Sequence, residues 1–330
     1  MRCIVLVLAC LIAVPAYSTS PIETGVGDPI VTKVIELAKK RAINSENVNW
    51  TVVEQEVGEI IAQQPSESGR TQAIEHVVRA LDDGHSFYRP PSKATPTSRG
   101  AGEVDSGMSR RERVSVPIAS YSGNRRFGVL ALNAWTGSKK ELDNATSIVR
   151  AELIRAVSRD PCGIIIDLTW NQGGNMWPMM GGIAPLYDEG TVLVFHARDE
   201  SDQIIQVQDD QLKVNGATYP EAAHLPPVRP LPRYVALILS NRTASSGEIV
   251  ALGFRGQENV RTFGEVTAGQ TTANWSTTLD NGGRLALASA HIADRTESIQ
   301  RGPLHPDVRS ESARLDAESW LASNCPKSDH

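Results

Sequence analysis

The segment SNRTASSGEIV, Ser240 to Val250, places two adjacent serines and a glutamate directly after an apolar run. A serine hydroxyl acts as a nucleophile only when a neighbouring group accepts its proton. The spacing Ser245-x-x-Glu248 also has the form of a capping box, in which both side chains satisfy backbone amides at the start of a helix. Taken alone, the segment favours the cap, but one serine can serve in both roles.

A nucleophilic serine needs a base, and the common local patterns are absent. Glu248 stands where a Ser-x-x-Lys arrangement would have its lysine, and no Gly-x-Ser-x-Gly elbow surrounds the serines. Among the seven histidines, His85 differs because LDDGHSFY places it on a loop just after Gly84, where a helical pattern ends. A loop histidine held by a rigid element suits a general base. The alternative is an ordinary turn residue.

A glycine pair follows the apolar strand in GIIIDLTWNQGGNMWP. Gly173 and Gly174 can adopt positive φ and let the backbone approach a ligand closely. Amides exposed in such a turn can hold an anion or an oxyanion. The alternative is a tight turn that needs glycine for packing alone.

The apolar patterns predict a helical start followed by an α/β core. Helical periodicity runs through DPIVTKVIELAKKRAI, NWTVVEQEVGEIIAQQ and RTQAIEHVVRALDDG. Later strand-like runs are continuously apolar and separated by helices, which indicates a mainly parallel sheet buried on both faces. The long polar stretch between Ala197 and Arg233 is expected to be a lid, a binding loop or a small hairpin.

These patterns divide the chain into four parts: a signal peptide at 1–18, a helical subdomain at 19–90, a linker at 91–113 and a core domain at 114–330. The leader has a basic start and eleven apolar residues, fewer than the ~20 needed to span a bilayer. We therefore expect an exported protein. Lipid attachment at Cys10, with peripheral membrane association, is the weaker alternative.

Composition narrows the partners. The formal net charge of −5 provides no basic surface for nucleic acid, and the scattered histidines give no metal-binding spacing, so neither a nucleic acid nor a metal or other cofactor is expected. Sequons such as Asn241, close to the serines, weakly favour a bacterial source because a glycan would obstruct the site. Cys162 and Cys325 remain after removal of the leader, either as a disulfide or as two buried thiols.

Several segments together resemble the carboxy-terminal processing (tail-specific) serine proteases and their tricorn-core relatives. These segments are DLTWNQGG, TASSGEIV, FGEVTAGQT and ESIQRGPLHPDV, which appear in the family's order between Phe127 and Val308. Within this group, TASSGE and GGNMWP are most similar to the nisin-resistance proteases. The resemblance implies a ClpP/crotonase-like spiral of β-β-α units, here without the PDZ module of many relatives.

The resemblance also implies roles for individual residues. It selects Ser245 as the nucleophile, and Gln270 in the place of the usual catalytic lysine implies that His85 is the base. Thr169 departs from the arginine that is usual in the family. The amides of Ser246 and of Gly174 or Gly173 are expected to form the oxyanion hole. The expected substrate-binding residues are Asn175 and Met176, which would line the cleft, and Glu248 and Gln270, which would either support the geometry or recognise the substrate end.

The sequence therefore predicts an exported serine peptidase that acts on a peptide or protein through a Ser/His dyad. A non-catalytic ligand- or peptide-binding module on the same fold is the main alternative. Acyl-CoA chemistry of the crotonase type fits the secretory leader poorly. The residues do not indicate an oligomeric state or a physiological substrate.

Overall fold

The computed structural model describes residues 27–91, 117–123, 126–160, 162–221 and 225–325. The predicted signal peptide and nearly all of the predicted linker lie outside these ranges. Within them, no helix has both the length and the apolar character needed to cross a bilayer.

Three helices precede the sheets, as the periodicity predicts: α1 (Pro29–Arg41), α2 (Trp50–Gln63) and α3 (Glu67–Ala80). Each helix is preceded by an N-cap residue whose side chain accepts hydrogen bonds from backbone amides; these residues are Asp28, Asn49 and Ser66. Their buried faces share one apolar cluster with Leu285 and Leu287. The helical part therefore completes its core with residues from the C-terminal half of the chain.

A six-stranded sheet forms the centre of the molecule. Its strands, in spatial order, are β14 (Val308–Arg309), β10 (Val260–Gly264), β9 (Tyr234–Leu239), β4 (Gly163–Asp167), β3 (Gly128–Leu132) and β2 (Ala119–Ser122). All neighbours are parallel except the antiparallel β2–β3 pair. The mainly parallel sheet expected from the apolar runs is therefore present.

Both faces of this sheet are covered. Along β4, Ile164 and Ile166 join the main core, whereas Ile165 joins a second cluster on the opposite face. The main core is closed by α4 (Leu142–Val157), α5 (Trp177–Ile183) and α6 (Ser246–Leu252), and the opposite face by α7 (Ala313–Asn324). A disulfide joins Cys162, just before β4, to Cys325 after α7. Short 3-10 helices lie at Ser45–Asn47, Lys139–Glu141 and Ala184–Leu186.

A second sheet of eight antiparallel strands was not indicated by the apolar patterns. It comprises β1 (Phe87–Arg89), β5 (Gly190–Ala197), β6 (Gln203–Gln208), β7 (Gln211–Val214), β8 (Ala217–Thr218), β11 (Ala273–Thr278), β12 (Arg284–Asp294) and β13 (Ile299–Gln300). The polar stretch after Ala197 supplies β6 to β8, so the hairpin alternative is the one found. The long strand β12 pairs with β1, β5, β11 and β13 and connects the helical part to the core.

Candidate active site

Ser245 lies at the sharp joint between β9 and α6. Its backbone has φ 51° and ψ −117°, a conformation that non-glycine residues rarely adopt and that costs about 1–3 kcal/mol. The Ser245 amide donates to Glu248 Oε2 at 2.9 Å, which is the glutamate half of the predicted capping box. The joint therefore presents the serine side chain on a strained elbow whose conformation the following helix supports.

Glu248 is fully buried beneath this elbow. Its Oε2 also accepts from the Gln270 amide at 2.8 Å, while Oε1 accepts from the Gly269 amide at 2.8 Å and from the Thr267 hydroxyl. Four donor groups of the protein thus form hydrogen bonds to this one carboxylate. Glu248 joins the elbow to the loop 265–270, and its carboxylate has no exposed surface for a substrate.

His85 lies on the loop between α3 and β1, which is held by hydrogen bonds within the loop and from the second sheet. The Asp83 carboxylate accepts from the amides of His85 and Ser86 at 2.9 and 2.6 Å and from the Ser86 hydroxyl at 2.6 Å. Ser86 Oγ in turn accepts from the Ala288 amide of β12 at 2.9 Å, and Asn274 Nδ2 donates to the His85 carbonyl at 3.0 Å. The second sheet therefore fixes the position of the histidine.

His85 is 8% exposed, and its ring reaches the serine. Its Nε2 lies 3.0 Å from Ser245 Oγ, and its Nδ1 lies 2.8 Å from Thr272 Oγ1. Burial lowers the pKa of His85 below its ordinary value, and this effect outweighs the Asp83 charge and a hydrogen bond to the Thr272 backbone, which both raise the pKa. The ring is therefore biased toward its neutral form, which can accept a proton.

The glycine turn lies against the elbow. Gly173 and Gly174 have φ of 105° and 110°, and a Cβ on Gly174 would lie 2.1 Å from the Trp135 carbonyl oxygen. The Gly174 carbonyl accepts a hydrogen bond from the Ser246 hydroxyl at 2.7 Å, which links the glycine turn to the Ser245 elbow. Glycine is thus required here both by conformation and by close packing.

The amides of this region differ in their partners. The Gly173 amide donates to Asn171 Oδ1 at 3.1 Å. Within the described part of the chain, the amides of Gly174 and Ser246 donate to no acceptor, and Ser246, as the first residue of α6, has no acceptor inside its helix. Of the two glycines left open by the sequence, Gly174 is the one with a free amide.

The remaining candidate residues surround this centre less directly. Asn175 is half-buried, and its Oδ1 accepts from the Trp177 amide at 3.0 Å at the start of α5. Met176 is 7% exposed and packs in the main core. Gln270 is half-buried, with Nε2 3.5 Å from the Gly84 carbonyl oxygen. Asn175 thus contacts the start of α5, Met176 packs in the core and Gln270 lies beside the His85 loop, and their role in substrate binding stays a prediction.

Thr169, the departure from the family's arginine, contributes through its backbone. Its carbonyl accepts from Ser240 Oγ at 2.7 Å, and the neighbouring Leu168 carbonyl accepts from Thr243 Oγ1 at 2.9 Å. These bonds hold the ends of β4 and β9 together without a side chain from position 169. Sequence reasoning did not single out Thr272 or Asn274, because no local pattern reveals which side chains contact His85.

The residues available for chemistry here are a serine, a histidine and backbone amides. Across the described ranges, there is no group of three or more His, Cys, Asp or Glu side chains that could hold a metal ion. A hydroxyl beside an imidazole, next to two free amides, is the arrangement used for acyl transfer. The fold and site together point to the serine peptidases.

Comparison with known proteins agrees with this class. Residues 126–310 match the model of Peptidase family S41, and the chain belongs to that family. It is 29% identical over 208 residues to the nisin-resistance protein of Lactococcus lactis subsp. lactis, a match that spans 63% of this chain and 63% of that protein's length.

Solved structures share the fold. A lipoprotein from Streptococcus agalactiae aligns with a TM-score of 0.72 and 22% identity over 89% of this chain and 95% of its own. The photosystem II D1 C-terminal processing protease aligns with a TM-score of 0.53 and 12% identity, over 86% of this chain and 92% of its own. The ClpP-like α/β fold expected from the resemblance is therefore confirmed.

Proposed function

We propose that this S41 serine peptidase cleaves peptide bonds with Ser245 as the nucleophile and His85 as the general base. The observation that carries the proposal is the 3.0 Å approach of His85 Nε2 to Ser245 Oγ, two residues separated by 160 positions in the chain. Hydrogen-bond distance between a hydroxyl and a buried imidazole is what proton transfer requires. The lowered pKa of His85 supports the role, since a neutral ring can take the serine proton.

The reaction proceeds in two halves. Ser245 Oγ forms a bond to the peptide carbonyl carbon while its proton moves to His85 Nε2, which then protonates the leaving amine as the C–N bond breaks. Water next attacks the acyl-serine ester and gives its proton to His85. The ester C–O bond breaks, the proton returns to Ser245, and the new carboxylic acid departs.

The amides of Gly174 and Ser246 form the oxyanion hole in this proposal. Their lack of internal acceptors supports it, because two unsatisfied donors beside the nucleophile are available to the developing negative charge. One such donor contributes about 3–4 kcal/mol to catalysis in proteases where it has been removed. Both donors are backbone groups, so the Gly174 turn and the Ser245 elbow determine their direction.

The substrate and location follow from weaker observations. The names of the relatives, a nisin-resistance protein and a lipoprotein, together with the secretory pattern of residues 1–18, support an exported peptidase at the cell envelope. A lanthionine-containing peptide is therefore the first substrate to test, beside ordinary peptides. The half-buried Gln270 near the His85 loop is a candidate for contacting the bound peptide.

The test compares purified wild type with Ser245→Ala and His85→Ala on a peptide library and on nisin, with cleavage followed by mass spectrometry. Matched controls are Ser147→Ala on the exposed face of α4 and His76→Ala on α3. We expect cleavage by wild type and both controls and none by the two site variants. Binding of peptides without cleavage by wild type would refute the peptidase mechanism and favour a non-catalytic binding module.

A further inference from the structure

The second ring nitrogen of His85 contacts a threonine, not an acid. Nδ1 lies 2.8 Å from Thr272 Oγ1, and the hydrogen bonds of the described residues bring no carboxylate to the ring. Asp83, the acid next to His85 along the chain, uses both carboxylate oxygens on the amides of His85 and Ser86 and on the Ser86 hydroxyl. It influences the ring through its charge only.

The contact with Thr272 bears on which nitrogen of the neutral ring carries the proton. A hydrogen bond from the ring to the Thr272 backbone stabilises the protonated ring and so raises its pKa. The Thr272 hydroxyl can accept from Nδ1–H or donate to Nδ1, and when it accepts, the proton of the neutral ring lies on Nδ1. Nε2 then carries the lone pair that faces Ser245 Oγ, which is the tautomer a general base needs.

The chain around Thr272 is held from both sides. On the N-terminal side, the Gln270 amide donates to Glu248 at 2.8 Å, and the Thr271 hydroxyl donates to the Gly302 carbonyl at 2.9 Å. On the C-terminal side, Asn274 donates to the His85 carbonyl at 3.0 Å. Glu248 also accepts a hydrogen bond from the Ser245 amide. The same buried carboxylate therefore holds both the nucleophile and the segment that precedes Thr272.

We propose that Thr272 is the positioning residue of the site: its hydroxyl accepts from His85 Nδ1–H, holds the ring against Ser245 and replaces the carboxylate of a Ser-His-Asp triad. The inference deepens the proposed function and rests on it. A neutral acceptor orients the ring without adding a negative charge beside it. The resulting imidazolium is less stabilised than beside a carboxylate, and the free base persists to lower pH.

The test uses a fluorophosphonate probe, which forms an Oγ–P bond with an activated serine as fluoride leaves, and so requires no known substrate. Labelling rates are measured between pH 5 and pH 9 for wild type, Thr272→Val, Thr272→Ser and Thr272→Asp. Thr278→Val, an exposed threonine of β11, is the matched control. Circular dichroism and thermal melting establish that each variant is folded.

We expect Thr272→Val to label about tenfold more slowly, the rate equivalent of one lost hydrogen bond, while Thr272→Ser and Thr278→Val remain near wild type. Thr272→Asp should move the acidic limb of the rate profile upward by about one pH unit, because a carboxylate stabilises the protonated ring. A purely structural role would not produce that shift. A folded Thr272→Val with the wild-type rate and pH profile would overturn the proposal.

Failure of this inference is distinguishable from failure of the proposed function. If Ser245→Ala abolishes labelling but Thr272→Val changes neither rate nor profile, the nucleophile stands and the positioning role falls. If wild type is not labelled, or Ser245→Ala labels equally, the proposed nucleophile itself is wrong and the role of Thr272 falls with it.

Discussion

Replacing Glu248 by glutamine tests whether the buried carboxylate holds the nucleophile elbow. The substitution keeps the shape of the side chain but exchanges one acceptor oxygen for an NH2 group. Placed toward Ser245, that group would face the amides of Ser245 and Gln270; placed away, it would face the Gly269 amide and the Thr267 hydroxyl. The second orientation is less costly, because a hydroxyl can rotate to accept.

The expected cost follows from the donors left behind. In the better orientation the partly buried Gly269 amide loses its acceptor, which costs about 1–3 kcal/mol. The bonds from Ser245 and Gln270 lose their charge assistance, about 1 kcal/mol each. The free energy of unfolding should therefore fall by about 3–5 kcal/mol. Activity should fall as well, because the strained φ of Ser245 loses part of its support.

Urea unfolding gives the stability change, and the fluorophosphonate labelling rate at a temperature where the variant is folded gives the activity change. Glu258→Gln, the same chemical change at an exposed position, is the control and should stay within about 0.5 kcal/mol of wild type. If Glu248→Gln unfolds at the wild-type urea concentration and labels at the wild-type rate, the carboxylate does not hold the elbow.

Three further outcomes are expected. Because burial lowers the pKa of His85, the ring stays neutral to lower pH, and the acidic limb of kcat/KM for a cleaved peptide should lie below pH 6.5; a limb above that value would contradict the assignment. Replacing both Cys162 and Cys325 by serine removes a disulfide that links residues 163 positions apart. Urea unfolding should then show a free energy of unfolding lower by about 5 kcal/mol, because the unfolded chain gains conformational entropy. An unchanged free energy of unfolding would show that the two cysteines are not paired. Gly173→Ala should abolish labelling, because the added Cβ would lie 2.8 Å from Ser245 Cβ. The control Gly190→Ala also places alanine at a positive φ, 96°, but in open space, so it should lower only the melting temperature. Equal labelling by the two variants would show that the close contact at Gly173 is unimportant.

Much of the fold could be predicted where a local pattern reports on burial. The helices α1 to α3 follow the 3.6-residue apolar period, and the strands of the parallel sheet follow continuous apolar runs, because both faces of that sheet are covered. The antiparallel sheet as a whole was not predicted, although a small hairpin was one expected form of the stretch that supplies β6 to β8. In β12, successive residues from Leu285 to Ala290 are all buried, so the strand lacks the alternation that usually marks a strand of an antiparallel sheet.

The candidate site divides in a similar way. Ser245, the glycine turn and the loop position of His85 could be identified from short segments and their resemblance to a family. The partner of His85 Nδ1 could not, since Thr272 lies 187 positions away in the chain. Glu248 was expected either to support the geometry of the site or to recognise the substrate. Its complete burial, which no local pattern reveals, favours the supporting role.

The sequence by itself determined the chemical groups and the conformations open to them: a serine three residues before a glutamate, a histidine after a helix-ending glycine, and two glycines at a strand end. These properties are local, because turns, caps and apolar periods depend on residues a few positions apart. Only the tertiary structure decided that Nε2 of His85 meets Ser245, that the Gly174 amide remains free and that Cys162 and Cys325 pair. Those relations depend on how two sheets pack and on β12, which connects the histidine loop to the core, and no interval along the chain encodes them.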